Sequence, residues 1–246
     1  MKGTALVTGA SRGIGAAIVR RLTSAGVEVS ALARPSDTLS TLCEETGATP
    51  LPVDLKDTDA LEAALAACAP DILINNAGVI TARGALHTLT RAEIDDMVAI
   101  NLTAVMHTLR LILPKMAARG SGDVVLIGSI AGGHPFPEMA AYGATKAAIR
   151  ALGEGIRLDL HGTGVRVTEV APGRVETEIS LAAMGGDRAA MQTALYTDAE
   201  ASQPDDIAAA VVAALQMPPR SNATFIEVMP TRQTIGGALY AKKGAP

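Results

Sequence analysis

The chain has few aromatic residues, two cysteines and no excess of positive charge, and each shortage removes a class of protein. Aromatics make up 2% of the residues and tryptophan is missing, so the apolar content is spread over Ala, Val, Leu and Ile. Cys43 and Cys68 both fall in helix-like segments with no metal-ligand partner nearby. No metal site is expected, and ordinary thiols in a reduced compartment are the simplest account. A formal net charge of −4 and a pI near 5.6 leave no basic surface for a phosphate backbone, which argues against a nucleic-acid partner. No apolar run approaches the ~20 residues that span a bilayer. The N-terminus enters a strand-like segment at residues 4–8 without signal-peptide architecture. A cytoplasmic protein without membrane or nucleic-acid partners is therefore expected.

What the chain does have is length, glycine and an alternation of strand-like and helix-like segments. Its 246 residues, 48% of them hydrophobic, suffice for one large α/β domain or at a stretch two small ones, and the pattern shows no repeat or long linker to divide them. The expected organisation is one domain over residues 1–246. The apolar run 4–8 leads into Thr8-Gly9-Ala10-Ser11-Arg12-Gly13-Ile14-Gly15, after which residues 16–22 show helical periodicity. Glycines there let backbone pass close to a pyrophosphate, and the unpaired N–H groups of the first helical turn favour the anion. Between a strand and a helix, this turn points to a dinucleotide.

A second strand over 27–33 ends at Ala33-Arg34. An NAD-binding chain usually places a carboxylate there, about 20 residues after the glycine turn, to hold the ribose 2′-hydroxyl. Arg34 and Arg12 instead offer charge-assisted hydrogen bonds to a 2′-phosphate, so NADP(H) is expected over NAD(H).

Further alternation follows. A strand over 48–53 ends at Asp54-Leu55, a helix covers 57–67, and a strand over 71–74 runs into Asn75-Asn76-Ala77-Gly78. This order implies parallel strands joined by right-handed crossovers. Asp54 can accept from an adenine amino group or cap the next helix. The small residues and amides of Asn76, Ala77 and Gly78 suit close approach of a flat cofactor or a plain turn. A helical stripe over 90–118 is interrupted by Asn101, and Pro114 should kink or shorten that helix. A strand over 123–127 ends at Gly128-Ser129, and a strand over 165–171 ends in Pro172-Gly173-Arg174-Val175-Glu176-Thr177. Residues 176–200 lack a clean period and are read as a mobile lid with one or two short helices. A helix over 205–215, a strand over 224–229 and a tail rich in Gly, Lys and Ala complete the chain.

Residues 129–146 bring a hydroxyl, a phenol and an amine together in sequence. Tyr142 and Lys146 stand four apart, which stacks them on one face of a helix. A lysine ammonium beside a phenol stabilises the phenolate and draws its titration toward neutrality, as a general acid or base requires. Alone, the pair would also fit a core tyrosine and a solvated lysine.

Taken jointly, Thr8-Gly9-x-x-x-Gly13-x-Gly15, Asn75-Asn76-Ala77-Gly78, Asn101, Ser129, Tyr142-x-x-x-Lys146 and Pro172-Gly173-x-Val175-x-Thr177 resemble the short-chain dehydrogenase/reductase family over essentially the whole chain. The resemblance implies a single-domain, doubly wound Rossmann fold with a seven-stranded parallel sheet, helices on both faces and a nicotinamide cofactor at the strand ends. It implies a catalytic tetrad of Asn101, Ser129, Tyr142 and Lys146. Ser129 and Tyr142 would bond the substrate oxygen, Lys146 would sustain the phenolate and hold the nicotinamide ribose, and the Asn101 backbone carbonyl would fix a water. The implied cofactor set comprises Gly9, Ser11, Arg12, Gly13, Ile14, Gly15, Arg34, Asp54, Leu55, Asn76, Ala77, Gly78, Tyr142, Lys146, Pro172, Gly173, Val175 and Thr177. The resemblance also suggests a homotetramer through helices near 90–118 and 140–160 and the last strand.

Within the family, Arg157-Leu-Asp-Leu-His-Gly-Thr163, Arg166-Val-Thr168 and Glu227-Val-Met-Pro230 with Gln233 resemble NADP-dependent 3-hydroxy acid (serine-type) dehydrogenases. One departure bears on substrate. Those relatives carry a base early in the lid, whereas residues 180–186 are neutral and Arg188 is the first base, with Arg174 and Arg232 as candidate substitutes. The expected activity is hydride transfer between NADP(H) and a small alcohol or carbonyl compound, a 3-hydroxy acid or short aldehyde among them. Rival readings are a 3-oxoacyl thioester reductase, which should show a basic surface for its carrier, and a regulator that senses NADP(H) without turnover, which would not need Tyr142. Residues 134–139 are the expected wall of the substrate pocket.

Overall fold

The computed structural model describes residues 1–197 and 200–234; the C-terminal tail and two residues of the expected lid lie outside them. The elements run β1 (Thr4–Thr8), α1 (Gly13–Ser24), β2 (Glu28–Ala33), α2 (Asp37–Thr46), β3 (Thr49–Pro52), α3 (Thr58–Leu65), β4 (Ile72–Asn75), α4 (Arg91–Val98), α5 (Ala104–Arg119), β5 (Gly122–Ile127), α6 (Ala140–Asp159), β6 (Val165–Pro172), α7 (Arg188–Tyr196), α8 (Pro204–Leu215) and β7 (Phe225–Val228). The seven strands form one sheet in the order β3-β2-β1-β4-β5-β6-β7, and every pairing is parallel. The order reverses between β1 and β4, the switch point where the strand ends of an open α/β sheet leave a crevice.

Alternation along each strand divides the core between two faces. Val7, Ile74, Val125, Ile127 and Val170 pack with Ile18, Leu22, Ile207 and Val211 of α1 and α8. Leu6, Leu73, Val124, Leu126 and Val167 pack with Leu109, Ile112, Met116, Ile149 and Ile156 of α5 and α6.

The helix-like segment around Cys43 is helix α2: the Ser36 side chain accepts from Leu39 N, and Gly47, at φ 74°, closes the far end in the left-handed region. Pro114 does not shorten its helix, which runs on to Arg119. Helices α4 and α5 are joined by a π-helical turn, Ala99–Thr103, so Arg91–Arg119 is one continuous helical stretch. By length and composition it could cross a membrane, but Val105, Leu109, Ile112 and Met116 are buried against the sheet.

Candidate active site

The glycine turn after β1 is shaped by what it cannot accommodate. A Cβ at Gly15 would collide with the Gly9 carbonyl oxygen and stand 2.6 Å from Asn76 Nδ2; Gly9, at φ 64°, would bring a Cβ within 2.7 Å of the Ala77 Cα. The turn is tied to the end of β4: Asn76 Nδ2 donates to the Thr8 and Gly9 carbonyls at 2.9 and 3.1 Å. Asn76 N and Ala77 N donate to Thr8 Oγ1. Asn76 therefore braces the cradle with its side chain. Ser11, Arg12, Gly13 and Ile14 lead into the N-terminus of α1, where free N–H groups and the helix dipole suit a phosphate.

At the outer strands the candidates separate. Arg34 is exposed at the end of β2. Arg12 reaches across to the lid, where Nη1 lies 2.7 Å from Glu178 Oε2. Asp54 Oδ1 accepts from Lys56 N at 3.0 Å, beside buried Leu55. It does not cap α3; Asp57 does, accepting from Ala60 N at 2.9 Å.

Around Tyr142 the structure gathers side chains from α6, the segment after β5 and the π-helical turn. Tyr142 and Lys146 share one face of α6 and are 7% and 3% exposed. Ser129, two residues past the end of β5, starts the 3-10 turn Ile130–Gly132, its Oγ accepting from Ala131 N at 3.1 Å, and it acts on the Tyr142 phenol to favour the ionised form. Lys146 Nζ donates to the Ile127 carbonyl at 2.8 Å and lies 5.8 Å from the Tyr142 ring centroid. Asn101, in the π-helical turn and 1% exposed, accepts from Val79 N at 2.8 Å and donates to Val79 O at 3.0 Å and Thr145 Oγ1 at 3.1 Å. Its side chain thus clamps the strand-end loop to α6. Gly78 sits between them: a Cβ there would stand 3.5 Å from both Asn101 Oδ1 and Lys146 Nζ.

Electrostatics here run against one expectation from sequence. Burial pushes the Tyr142 phenol up to about 12, against the lowering effect of Ser129. Burial pushes the Lys146 ammonium down to about 8, opposed by Glu169. Lysine does not draw the phenol toward neutrality in this structure, because its ammonium is engaged by the Ile127 carbonyl and the desolvation of a buried phenolate outweighs the rest. The form favoured is the neutral phenol, a proton donor.

At the end of β6, Pro172 is buried, and Gly173 N donates to Val228 O at 2.7 Å. Val175 is 8% exposed, and a Cβ at Gly13 would lie 3.4 Å from Thr177 Cγ2, so this segment closes over the glycine turn. The lid contains a short 3-10 turn over Ala182–Met184 and helix α7, within the expected one or two short helices. Tyr196 pins α7 in place and was missed by sequence reasoning: its hydroxyl donates to the Val175 and Thr177 carbonyls, each at 3.0 Å. A lone tyrosine in an aperiodic stretch gave no signal of this. Ile179 and Ala183 pack with Met139, Ala131 and Ala141 against the buried trio Ile80, Met97 and Tyr142. Of the expected wall 134–139, Met139 joins this apolar cluster, and Glu138 takes φ 60° while its carbonyl accepts from Gly84 N at 3.0 Å. The candidate anion partners are engaged elsewhere: Arg188 with Glu178, Arg174 Nη1 with the Leu195 carbonyl at 2.5 Å, and Arg232 with Glu200 at 3.6 Å.

A family model described as short chain dehydrogenase matches residues 3–184. The chain is 42% identical to an uncharacterized short-chain type dehydrogenase/reductase of Sinorhizobium fredii, with 97% of this chain and 95% of the relative covered. It is 38% identical to a sulfoacetaldehyde reductase of Chromohalobacter salexigens, covering 92% of this chain and 93% of that protein. Among solved structures, the closed form of a serine dehydrogenase complexed with NADP+ aligns with a TM-score of 0.91 and 35% identity, over 95% of this chain and 97% of that one. Similarity of this extent in both sequence and fold leads to one conclusion: the chain belongs to the short-chain dehydrogenase/reductase family.

Proposed function

We propose that this protein is an NADP-dependent oxidoreductase that interconverts a small alcohol and its carbonyl compound, with Tyr142 as the proton donor and acceptor. The observation that carries the reading is the buried Tyr142 phenol with Lys146 on the same helical face, its Nζ 5.8 Å from the ring centroid. Bound NADP(H) supplies the hydride in reduction and takes it in oxidation. The turn from Gly9 to Gly15 fits its pyrophosphate, since a side chain at Gly9 or Gly15 would fill the cradle. Arg34, with Arg12, would hold the 2′-phosphate; Asp54 and Leu55 would flank the adenine; Asn76, Ala77, Gly78, Pro172, Gly173, Val175 and Thr177 would line the remainder.

During reduction, Ser129 and Tyr142 donate hydrogen bonds to the carbonyl oxygen, where negative charge develops, and Tyr142 gives up its proton. Lys146 stabilises the resulting phenolate by its charge and binds the nicotinamide ribose. Asn101 holds the loop after β4 against α6 and offers its backbone carbonyl to a water that returns protons through Lys146. The lid, residues 176–200, excludes water by laying Ile179 and Ala183 against Tyr142. The whole of 1–246 acts as one catalytic domain.

The substrate class is a small hydroxy acid or short aldehyde. Its support lies in the similarity to a serine dehydrogenase and a sulfoacetaldehyde reductase and in the small apolar wall around Tyr142. A homotetramer is proposed from exposed Met106 and Leu158 on α5 and α6 and Phe225 on the edge strand. The cytoplasm is proposed from the free thiols of Cys43 and Cys68.

The test pairs the purified protein with NADPH or NADH and a panel of short aldehydes, keto acids and neutral ketones. Turnover with NADPH is expected to exceed that with NADH, and Arg34→Ala should weaken NADPH binding by about tenfold or more, the scale of a charged hydrogen bond, while sparing NADH. Equal losses for both cofactors would sink the 2′-phosphate assignment. Binding of NADPH without oxidation across the panel would sink the catalytic reading.

A further inference from the structure

Among the described residues, the face of the sheet that meets α6 carries one buried carboxylate that the reaction above does not use. Glu169 lies in β6, 3% exposed, two residues after buried Val167 and on the same face. Its carboxyl group sits against the backbone of Gly128: a Cβ there would collide with Oε1 and stand 3.0 Å from Cδ. Gly128 separates Ile127, whose carbonyl accepts from Lys146 Nζ, from Ser129. The carboxylate is therefore packed onto the short segment that holds both groups flanking Tyr142.

The charges around it are asymmetric. Helix α6 presents Lys146, Arg150 and Arg157 to Glu169, with Glu154 as the only opposing acid among its interactions. On the neighbouring strands, β5 places Leu126 opposite it and β7 places Phe225 opposite it, with Glu227 at the next same-face position, opposite Ala171. Arg150 is held over the Phe225 ring at 4.3 Å, and Arg157 Nη1 is directed to the Val167 and Thr224 carbonyls. Burial disfavours the charged form of Glu169 and the three cations favour it. A carboxylate so placed acts on the buried ammonium in turn.

We infer that Glu169 is a positioning residue: a buried carboxylate, seated against Gly128, that keeps the Lys146 ammonium charged and held at the Ile127 carbonyl beside Tyr142. It touches neither substrate nor cofactor. Because burial alone favours neutral lysine, the charge that the phenolate needs is maintained from behind the site. The same contact gives Gly128 a purpose, since any larger residue would displace the carboxylate.

This inference rests on the role given to Lys146 above, so the test reads Lys146 directly. Labelling of Lys146 by acetic anhydride is followed across pH by mass spectrometry on wild type, Glu169→Gln and Glu169→Asp, beside the pH profile of carbonyl reduction and the affinity for NADPH. The labelling midpoint is expected to fall by about one pH unit in Glu169→Gln, the scale of losing a nearby opposite charge. A smaller fall is expected in Glu169→Asp, whose carboxylate is withdrawn, and the alkaline limb of reduction should shift with the midpoint. Midpoints unchanged in both variants, with turnover reduced equally at all pH, would overturn the proposal in favour of a packing role. Should Glu169→Gln fail to fold, an unmoved midpoint in Glu169→Asp would still overturn it. A labelling midpoint that moves while turnover ignores it would leave this inference standing and refute the role of Lys146.

Discussion

The two faces of the sheet are built by different rules. Against α1 and α8 the strands present Val7, Ile74, Val125, Ile127 and Val170, and the helices answer with Ile18, Leu22, Ile207 and Val211. Against α5 and α6 the same strands present Leu6, Leu73, Val124, Leu126 and Val167, but buried among them are Asn75, Asn101, Lys146 and Glu169, each under 5% exposed. Asn75 Nδ2 is the single buried side-chain polar atom without a protein partner among the described residues. One face stabilises the domain by transferring aliphatic surface from water. The other gives up part of that gain to hold charged and amide groups where water is scarce and their interactions are strong. Stability and chemistry are thus divided across a sheet only one strand thick.

That division can be broken from either side. The largest expected effect is on the chemical face: Tyr142→Phe should lower turnover by about 10²–10⁴-fold, the loss of a general acid, with NADPH affinity and melting temperature little changed. Full activity in that variant would remove the phenol from the reaction. On the other face, Leu22→Ala, at 0% exposure, should cost about 2–5 kcal/mol in urea unfolding, as cavities in aliphatic cores do. Turnover per folded molecule should stay unchanged. A large drop in turnover there would mean that the faces are coupled more tightly than their packing implies.

The smallest effect sharpens the chemical face alone. Burial places the Lys146 titration at about 8, so the ammonium is charged below that pH and neutral above it. Carbonyl reduction should hold steady below pH 8 and decline by up to tenfold per unit above it, measured under saturating NADPH. A rate that stays flat through pH 10 would show that the Lys146 charge is not needed.

Much of this architecture was legible in the chain because its signals are local. The β1 strand, the glycine turn and the start of α1 follow from an apolar run and glycines whose neighbours leave no room for a Cβ. Helix α2, around Cys43, was equally local, with Ser36 and Gly47 as its caps. The cap of α3 was the reverse case. Asp54 and Asp57 are three residues apart and chemically equivalent, and only the backbone geometry assigns the cap to Asp57. Tyr196 and Glu178 illustrate what a sequence does not carry, since their partners at Val175, Thr177 and Arg12 are set by how the lid folds back.

The sequence by itself determined the parallel order of elements and the glycine turn, because periodicity and turn chemistry are properties of the chain, while the grouping of Asn101, Ser129, Tyr142 and Lys146 came from the resemblance of its motifs to the family. Only the tertiary structure decided how those groups are charged. Burial of Tyr142 and Lys146, the hold of the Ile127 carbonyl on Nζ and the approach of Glu169 to Gly128 arise from segments far apart in sequence. The energy of a buried charge depends on what surrounds it in space.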